Sequence, residues 1–154
     1  MLNKRNFYIN GKWMAPSKQN DFEVINPSNE EPFAIISLGN IADTNSAVKA
    51  AKESFPSWKQ TSKEEKISLI QKLYEIYKSR WDEMTEVISM EMGAPLDWAS
   101  SVQTASGASH IKDFIKRLKD FEFGSNFDKE SDNYIVYEPI GVCGLITPWN
   151  WPIN

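Results

Sequence analysis

The apolar run Val142-Cys143-Gly144-Leu145-Ile146 constrains the fold of this chain more than any other feature. No polar side chain alternates with the apolar ones, which is typical of a strand covered on both faces in a parallel sheet flanked by helices. The next residues, Thr147 to Pro152, are typical of a tight turn, and Pro152 suits the first turn of a helix. A buried strand, a turn and a helix start open a βαβ unit, so the sequence predicts the α/β class.

Signals for a β-hairpin and about four helices precede this run. Asn10-Gly11 lies between two aromatic-rich β-formers and predicts a hairpin over Phe7–Met14. Helical spacing of apolar residues predicts the helices, and their expected ranges are Asp43–Phe55 ended by Pro56, Ser62 to about Arg80, Asp82 to Gly93, and a helix after Asp97. Asp43 or Thr44 is the expected cap of the first helix, and Ser62 and Glu65 form a capping-box pattern at the start of the second. The first half of the fourth helix is rich in Ser and Ala, which indicates close packing against another element. Strand character is expected in Phe22–Asn26, Phe121–Phe123 and Tyr134–Pro139, whereas Ser28 to Gly39 gives no clear signal. The sheet predicted from these strands is incomplete.

Length, charge and hydropathy exclude several classes of protein. The chain has 154 residues, which is enough for one compact domain. Its 17 Lys and Arg against 21 Asp and Glu give a net charge of −4, which argues against a nucleic-acid partner. No uninterrupted apolar run approaches the ~20 residues that a membrane span requires, so no membrane partner is expected.

The single cysteine and single histidine limit redox and metal chemistry. One thiol cannot build a disulfide framework, and with His110 alone there is no Cys/His cluster for zinc, so no metal is predicted. The mid-strand position of Cys143 predicts a buried, inert thiol with a structural role, and His110 is assigned to packing or the surface. Met1 to Lys12 is polar and lacks the apolar block of a secretory signal, so the cytoplasm is the expected compartment.

The last part of the chain reads Gly141-Val142-Cys143-Gly144-Leu145-Ile146-Thr147-Pro148-Trp149-Asn150-Trp151-Pro152. It resembles the G-V-x-x-x-I-x-P-W-N-x-P signature of the NAD(P)-dependent aldehyde dehydrogenases. Supporting blocks occur in the family's order, at Tyr8–Trp13, Asn26–Ser28, Ala47–Ala51 and Glu91–Pro95. Each block alone is weak evidence, but together with P-W-N-x-P they are specific. The resemblance implies the amino-terminal part of a doubly wound domain of that family, with a β-hairpin, a β-arm and about four helices.

The resemblance also implies a reaction and roles for particular residues. In the family a cysteine thiolate attacks an aldehyde, hydride passes to NAD or NADP, and the resulting thioester is hydrolysed to a carboxylic acid. Asn150 corresponds to the side-chain donor of the oxyanion hole. Glu91 resembles a position near a monovalent cation in some members, and a surface carboxylate explains it equally well. The residues that resemble the family's cofactor and substrate cleft are Ile146, Thr147, Pro148, Trp149 and Asn150.

Without the resemblance, these residues have ordinary structural interpretations. An Asn shortly before a Pro at a helix start is usually a cap or turn residue, and Trp149 would be a core aromatic side chain. The resemblance favours the functional role for Asn150 over the cap.

Two hypotheses for the whole chain follow. In the first, residues 1–154 are an amino-terminal fragment of the cofactor-binding domain, with an oligomerisation β-arm at about residues 121–139 and without the catalytic domain. The fragment would be inactive alone and, when full length, would form a homodimer or homotetramer that acts on an aldehyde substrate. In the second, the chain is a non-catalytic module of helices and a β-arm that binds a partner through its strand edges. The absence of a closing helix after Pro152 favours the fragment.

Overall fold

The computed structural model describes residues 1–127 and 132–154, and it shows three small sheets and a set of helices. One sheet consists of three strands: β1 (Leu2–Asn3), β4 (Asp21–Asn26) and β5 (Glu31–Ser37). In this sheet β5 lies between β1 and β4. β5 runs parallel to β1 and antiparallel to β4, with Leu2 opposite Ala34. β5 was not expected from the sequence, since Ser28 to Gly39 gives no clear signal, and the two-residue strand β1 was not expected either.

The predicted hairpin is confirmed. β2 (Phe7–Ile9) pairs antiparallel with β3 (Lys12–Met14), and Tyr8 lies opposite Trp13. The turn has φ values of 52° at Asn10 and 74° at Gly11, the left-handed region that a type I′ turn requires. The turn chemistry therefore fixes this element locally.

Helix α1 is longer than the sequence predicts. It spans Ile41–Gln60, is capped by Asn40 rather than Asp43 or Thr44, and includes Pro56 in its interior. The expected stop at Pro56 was wrong because a proline removes one backbone donor without preventing later residues from continuing the helix. Asp43 still contributes to the cap, since its Oδ2 accepts from the Asn40 backbone N–H at 3.1 Å.

The next two helices agree with the sequence. α2 spans Lys63–Ser79, and Ser62 and Glu65 form the predicted capping box. α3 spans Trp81–Met92 and ends at Gly93, whose φ of 70° is the left-handed conformation of a helix end.

The predicted fourth helix is one helical stretch with a wider turn inside it. α4 (Leu96–Trp98) leads into a π-helical segment, Ala99–Thr104, which continues as α5 (Ala105–Asp120). The core lies between α3 and this stretch and consists of Ile88, Ala94 and Ala99, with Met92 and Ile153 packed against it.

The structure corrects the expectation of a buried strand over residues 142–146. No residue of this run belongs to a strand, Leu145 and Ile146 are 86% and 100% exposed, and Cys143 is an exposed free thiol rather than a buried one. A parallel strand needs neighbouring strands and covering helices, and none pairs with this run among the residues that the structure describes. Residues 150–153 form turns rather than the expected first turn of a helix.

The region expected to form a β-arm contains one short hairpin. β6 (Gly124–Asn126) pairs antiparallel with β7 (Tyr134–Val136). Phe121–Phe123 is not a strand, so the first strand lies three residues later than expected. Residues 128–131 of the expected arm lie outside the described residues. No helix among those described is both long and apolar enough to cross a membrane.

Candidate functional site

A cleft of about 540 Å³ lies between the sheet and the turn that follows residues 142–146. Apolar side chains of β4 and β5 form one wall, including Phe22 and Ile36, and Thr147, Pro148 and Trp149 form the other. Trp149 is 83% exposed, so much of its indole face is free. The structure thus brings three of the predicted cleft residues together, whereas Ile146 is fully exposed and does not line this cleft.

Asn150 is exposed to solvent, but its backbone is held in place by a hydrogen bond. Its backbone carbonyl accepts a hydrogen bond from Nε2 of Gln103 at 3.3 Å. Asn150 itself is exposed at the end of the cleft-lining turn. A carboxamide offers N–H donors without a charge, so Asn150 can stabilise a developing oxyanion that an Asp in its place would repel.

The residues after Asn150 pack on the helical stretch. The Trp151 ring lies against Trp98 with the ring centroids 5.9 Å apart, and Ile153 packs against the core. Gly107 permits the close approach of the chain end, because a Cβ added there would lie 2.7 Å from the Ile153 backbone oxygen. These contacts hold the turn that carries Asn150 against the helical stretch from α4 to α5 and against the core.

The charge at the cleft comes from Glu91 of α3. Although Glu91 is solvent-accessible, the protein around it partly desolvates its carboxyl and raises the pKa of that group. The described residues contain no group of three or more His, Cys, Asp or Glu side chains that could hold a metal ion. The cleft is therefore mainly apolar, with one carboxyl group at its edge.

The aldehyde dehydrogenase family model matches residues 13–154, which begin near the end of the hairpin and include β4, β5, the helices and the cleft-lining turn. The chain belongs to the aldehyde dehydrogenase family. This confirms the resemblance that the sequence motifs indicated.

Curated relatives and solved structures agree with this assignment. The chain is 39% identical to 3-succinoylsemialdehyde-pyridine dehydrogenase from a Pseudomonas species, over 100% of this chain and 32% of that protein. It is also 39% identical to a putative aldehyde dehydrogenase from Staphylococcus saprophyticus, over 97% of this chain and 32% of that protein. The chain thus spans about a third of the length of these relatives.

Two crystal structures show the same fold. Aldehyde dehydrogenase C from Pseudomonas syringae, a mutant complexed with NAD+ and octanal, is 38% identical and matches with a TM-score of 0.92 over 97% of this chain and 30% of its own. An aldehyde dehydrogenase from Bartonella henselae is 49% identical, with a TM-score of 0.84 over 86% of this chain and 28% of its own. The α/β fold with an incomplete sheet is thus the amino-terminal part of an aldehyde dehydrogenase fold.

Sequence reasoning missed Gln103. Its helix was predicted, but the first half of that helix gave only a general signal for close packing, from its Ser and Ala residues. A Gln among small residues in a helix is a weak signal on its own, because contact with Asn150 depends on how the chain folds back.

Proposed function

We propose that the chain is the amino-terminal segment of an NAD(P)+-dependent aldehyde dehydrogenase that oxidises an aldehyde to a carboxylic acid. The observation that carries this proposal is the family match through the P-W-N-x-P segment, together with Asn150 exposed on a backbone that Gln103 holds. The coverage of about a third of each relative supports a fragment that contributes to the site without forming all of it. By that reasoning the nucleophile lies elsewhere in the full-length enzyme.

Asn150 is proposed as the catalytic donor to the oxyanion. When a thiolate attacks the aldehyde carbonyl, negative charge develops on its oxygen, and the Asn150 amide N–H stabilises that charge by a hydrogen bond. Since the backbone of Asn150 is already anchored, its donor needs little rearrangement during the reaction. The attacking thiolate is proposed to belong to a residue other than Cys143, because Cys143 does not line the cleft.

The cleft-lining residues fit one half of a nicotinamide cofactor. Pro148 and Trp149 in the cleft present exposed apolar surface, as does Ile146, which lies outside the cleft and precedes its turn. Residues 146–150 carry no charged side chain. Such a surface suits a flat ring rather than a pyrophosphate, which needs positive charge or a helix N-terminus. We therefore propose that these residues and Thr147 form the wall beside the nicotinamide. NAD or NADP would accept the hydride, as the NAD+ complex of the Pseudomonas syringae enzyme suggests.

The full-length enzyme is proposed to be a cytoplasmic homodimer or homotetramer that assembles through the region 121–139. Aromatic side chains gather there, with Phe121 5.0 Å from Phe123 and 5.4 Å from Tyr137 between ring centroids. All three are more than 40% exposed, so a partner surface would cover apolar area. The exposed free thiol of Cys143 suits a reducing compartment.

An assay of NADH or NADPH formation tests the proposed activity. The full-length enzyme that begins with this chain should reduce NAD+ or NADP+ only when an aldehyde is added, and a panel from short polar to long aliphatic aldehydes defines its range. Cys143→Ser in that enzyme is the matched control and should retain activity. No turnover with any aldehyde would contradict the proposal, as would loss of activity in Cys143→Ser or turnover by residues 1–154 alone.

A further inference from the structure

Gln103 is a buried polar side chain whose position the fold alone does not explain. It is 0% exposed and lies in the π-helical segment Ala99–Thr104. Its Nε2 donates to the Asn150 backbone carbonyl, whereas its Oε1 has no hydrogen-bond partner among residues 1–127 and 132–154. A buried amide with one unpaired end costs free energy that an apolar side chain of similar size would avoid.

The π-helical segment places Gln103 beside the turn. A π-helical turn is wider than an α-helical one and often occurs at functional sites. Here the next residue, Thr104, is equally buried but bonds elsewhere, with its Oγ1 3.2 Å from Thr85 Oγ1. The two neighbouring side chains thus make different contacts. Thr104 bonds to Thr85 of α3, and Gln103 bonds to the turn that carries Asn150.

We propose that Gln103 is a positioning residue for catalysis: it holds the Asn150 carbonyl and thereby keeps the Asn150 side-chain amide aimed at the oxyanion. The inference rests on the proposed function, since it requires Asn150 to be the oxyanion donor. A bond to the backbone at Asn150 restricts the torsions that set the direction of its side chain. Loss of that bond would leave the donor in place but imprecisely aimed, and such misplacement lowers kcat rather than substrate binding.

The test compares three variants of the full-length enzyme. Gln103→Met keeps the volume and removes the donor, Thr104→Val removes the adjacent buried hydrogen bond without touching Asn150, and Asn150→Ala removes the oxyanion donor. We expect Gln103→Met to lower kcat by roughly 10- to 100-fold with KM for NAD+ unchanged. Thr104→Val should lower Tm while leaving kcat within about twofold, because its effect is on stability alone.

The double variant Gln103→Met/Asn150→Ala separates positioning from other roles. If Gln103 acts through Asn150, the double variant should be no slower than Asn150→Ala within about twofold. If Gln103→Met does not fold, Gln103→Asn makes the same test, because the shorter amide does not reach the Asn150 carbonyl and leaves only a small cavity.

Each remaining outcome overturns the inference. A kcat close to that of the wild type in Gln103→Met, with a large loss in Asn150→Ala, would leave the proposed function standing and remove Gln103 from it. If Gln103→Met lowers kcat by the same factor in the Asn150→Ala background as in the wild type, Gln103 acts on something other than Asn150. If Thr104→Val lowers kcat as much as Gln103→Met does, the effect is one of general packing. An unchanged kcat in Asn150→Ala would overturn the role of Asn150 and the inference together.

Discussion

Residues 150–153 and residues 140–149 adjoin in sequence but differ in how the chain holds them. The first group is tied to the helical stretch by Gln103, Trp98 and the core around Ile88. The second group is largely exposed, with Ile140 and Ile146 at 93% and 100%. The contrast shows that the turn bearing Asn150 obtains its support from the helices of this chain. The strand-like run before it has no such support among the residues described.

Substitutions in the two groups should therefore affect stability differently. A substitution at a contact of residues 150–153 should change stability in the 154-residue chain itself. A substitution in residues 140–149 should matter only where other parts of the full-length enzyme cover that run. Variants of both kinds therefore test whether the two groups are held differently.

The largest effect is expected for Gly107→Ala. Although Ala is the better helix former, the new Cβ would lie 2.6 Å from the Tyr77 hydroxyl and 2.7 Å from the Ile153 carbonyl oxygen. Such overpacking costs about 1–3 kcal/mol and should exceed the gain of about 1 kcal/mol in helix propensity. Thermal unfolding of the 154-residue chain should show a lower Tm. Ser109→Ala, exposed on the same helix, is the control, and an equal or higher Tm in Gly107→Ala would refute the close packing.

A smaller, pH-dependent effect on Tm is expected for Asp43→Asn in the first turn of α1. The Asp43 carboxylate accepts from the Ser17 backbone N–H at 2.8 Å and from the Asn40 N–H. The bond from Ser17 is the main cause that lowers the pKa of Asp43, with a further contribution from Asn40. An Asn side chain has one acceptor oxygen and would satisfy only one of these donors.

The sign of the pH dependence follows from that lowered pKa. The carboxylate stabilises the fold above the ordinary Asp pKa of about 3.9, and this contribution is lost as the pH falls through the folded-state value. Asp43→Asn should therefore lower Tm by about 2 °C at pH 7, with the difference from the wild type narrowing over the acidic range as the pH falls below the ordinary Asp pKa of about 3.9. A difference that stays constant over that range would contradict the carboxylate's role.

The smallest effect is expected for Leu145→Ser in the 154-residue chain. Leu145 is 86% exposed, so urea unfolding should change by less than about 0.5 kcal/mol. In the full-length enzyme, where we expect the run to be a covered strand, the same substitution should cost about 2 kcal/mol or more. Equal effects in both forms would show that residues 140–149 have the same surroundings in each, and the contrast between the two groups would fail.

Sequence reasoning was accurate where the cause is local. The hairpin at Asn10-Gly11, the Ser62 capping box and the Gly93 helix end depend on residues within one turn of each other, so their signals are visible in the sequence. β5 was missed although it follows β4 directly in the chain, because Ser28 to Gly39 gives no clear strand signal. Its parallel pairing with β1 depends on residues that are distant in sequence.

The candidate site shows the same limit. Thr147, Pro148 and Trp149 were identified by motif and do line one cleft. The apolar character of residues 142–146 indicated a covered strand, but a strand also requires neighbours, which no local pattern supplies. Gln103 could not be found, since its contact with Asn150 spans 47 positions.

The most direct test of the central claim is kcat of Asn150→Ala in the full-length enzyme. Loss of one oxyanion donor should lower kcat by about 10²- to 10³-fold. Tm should stay close to the wild-type value, because the exposed Asn150 is held by its backbone carbonyl, which the substitution retains. An unchanged kcat, or a loss that only follows a lower Tm, would contradict the claim that this chain supplies the oxyanion donor.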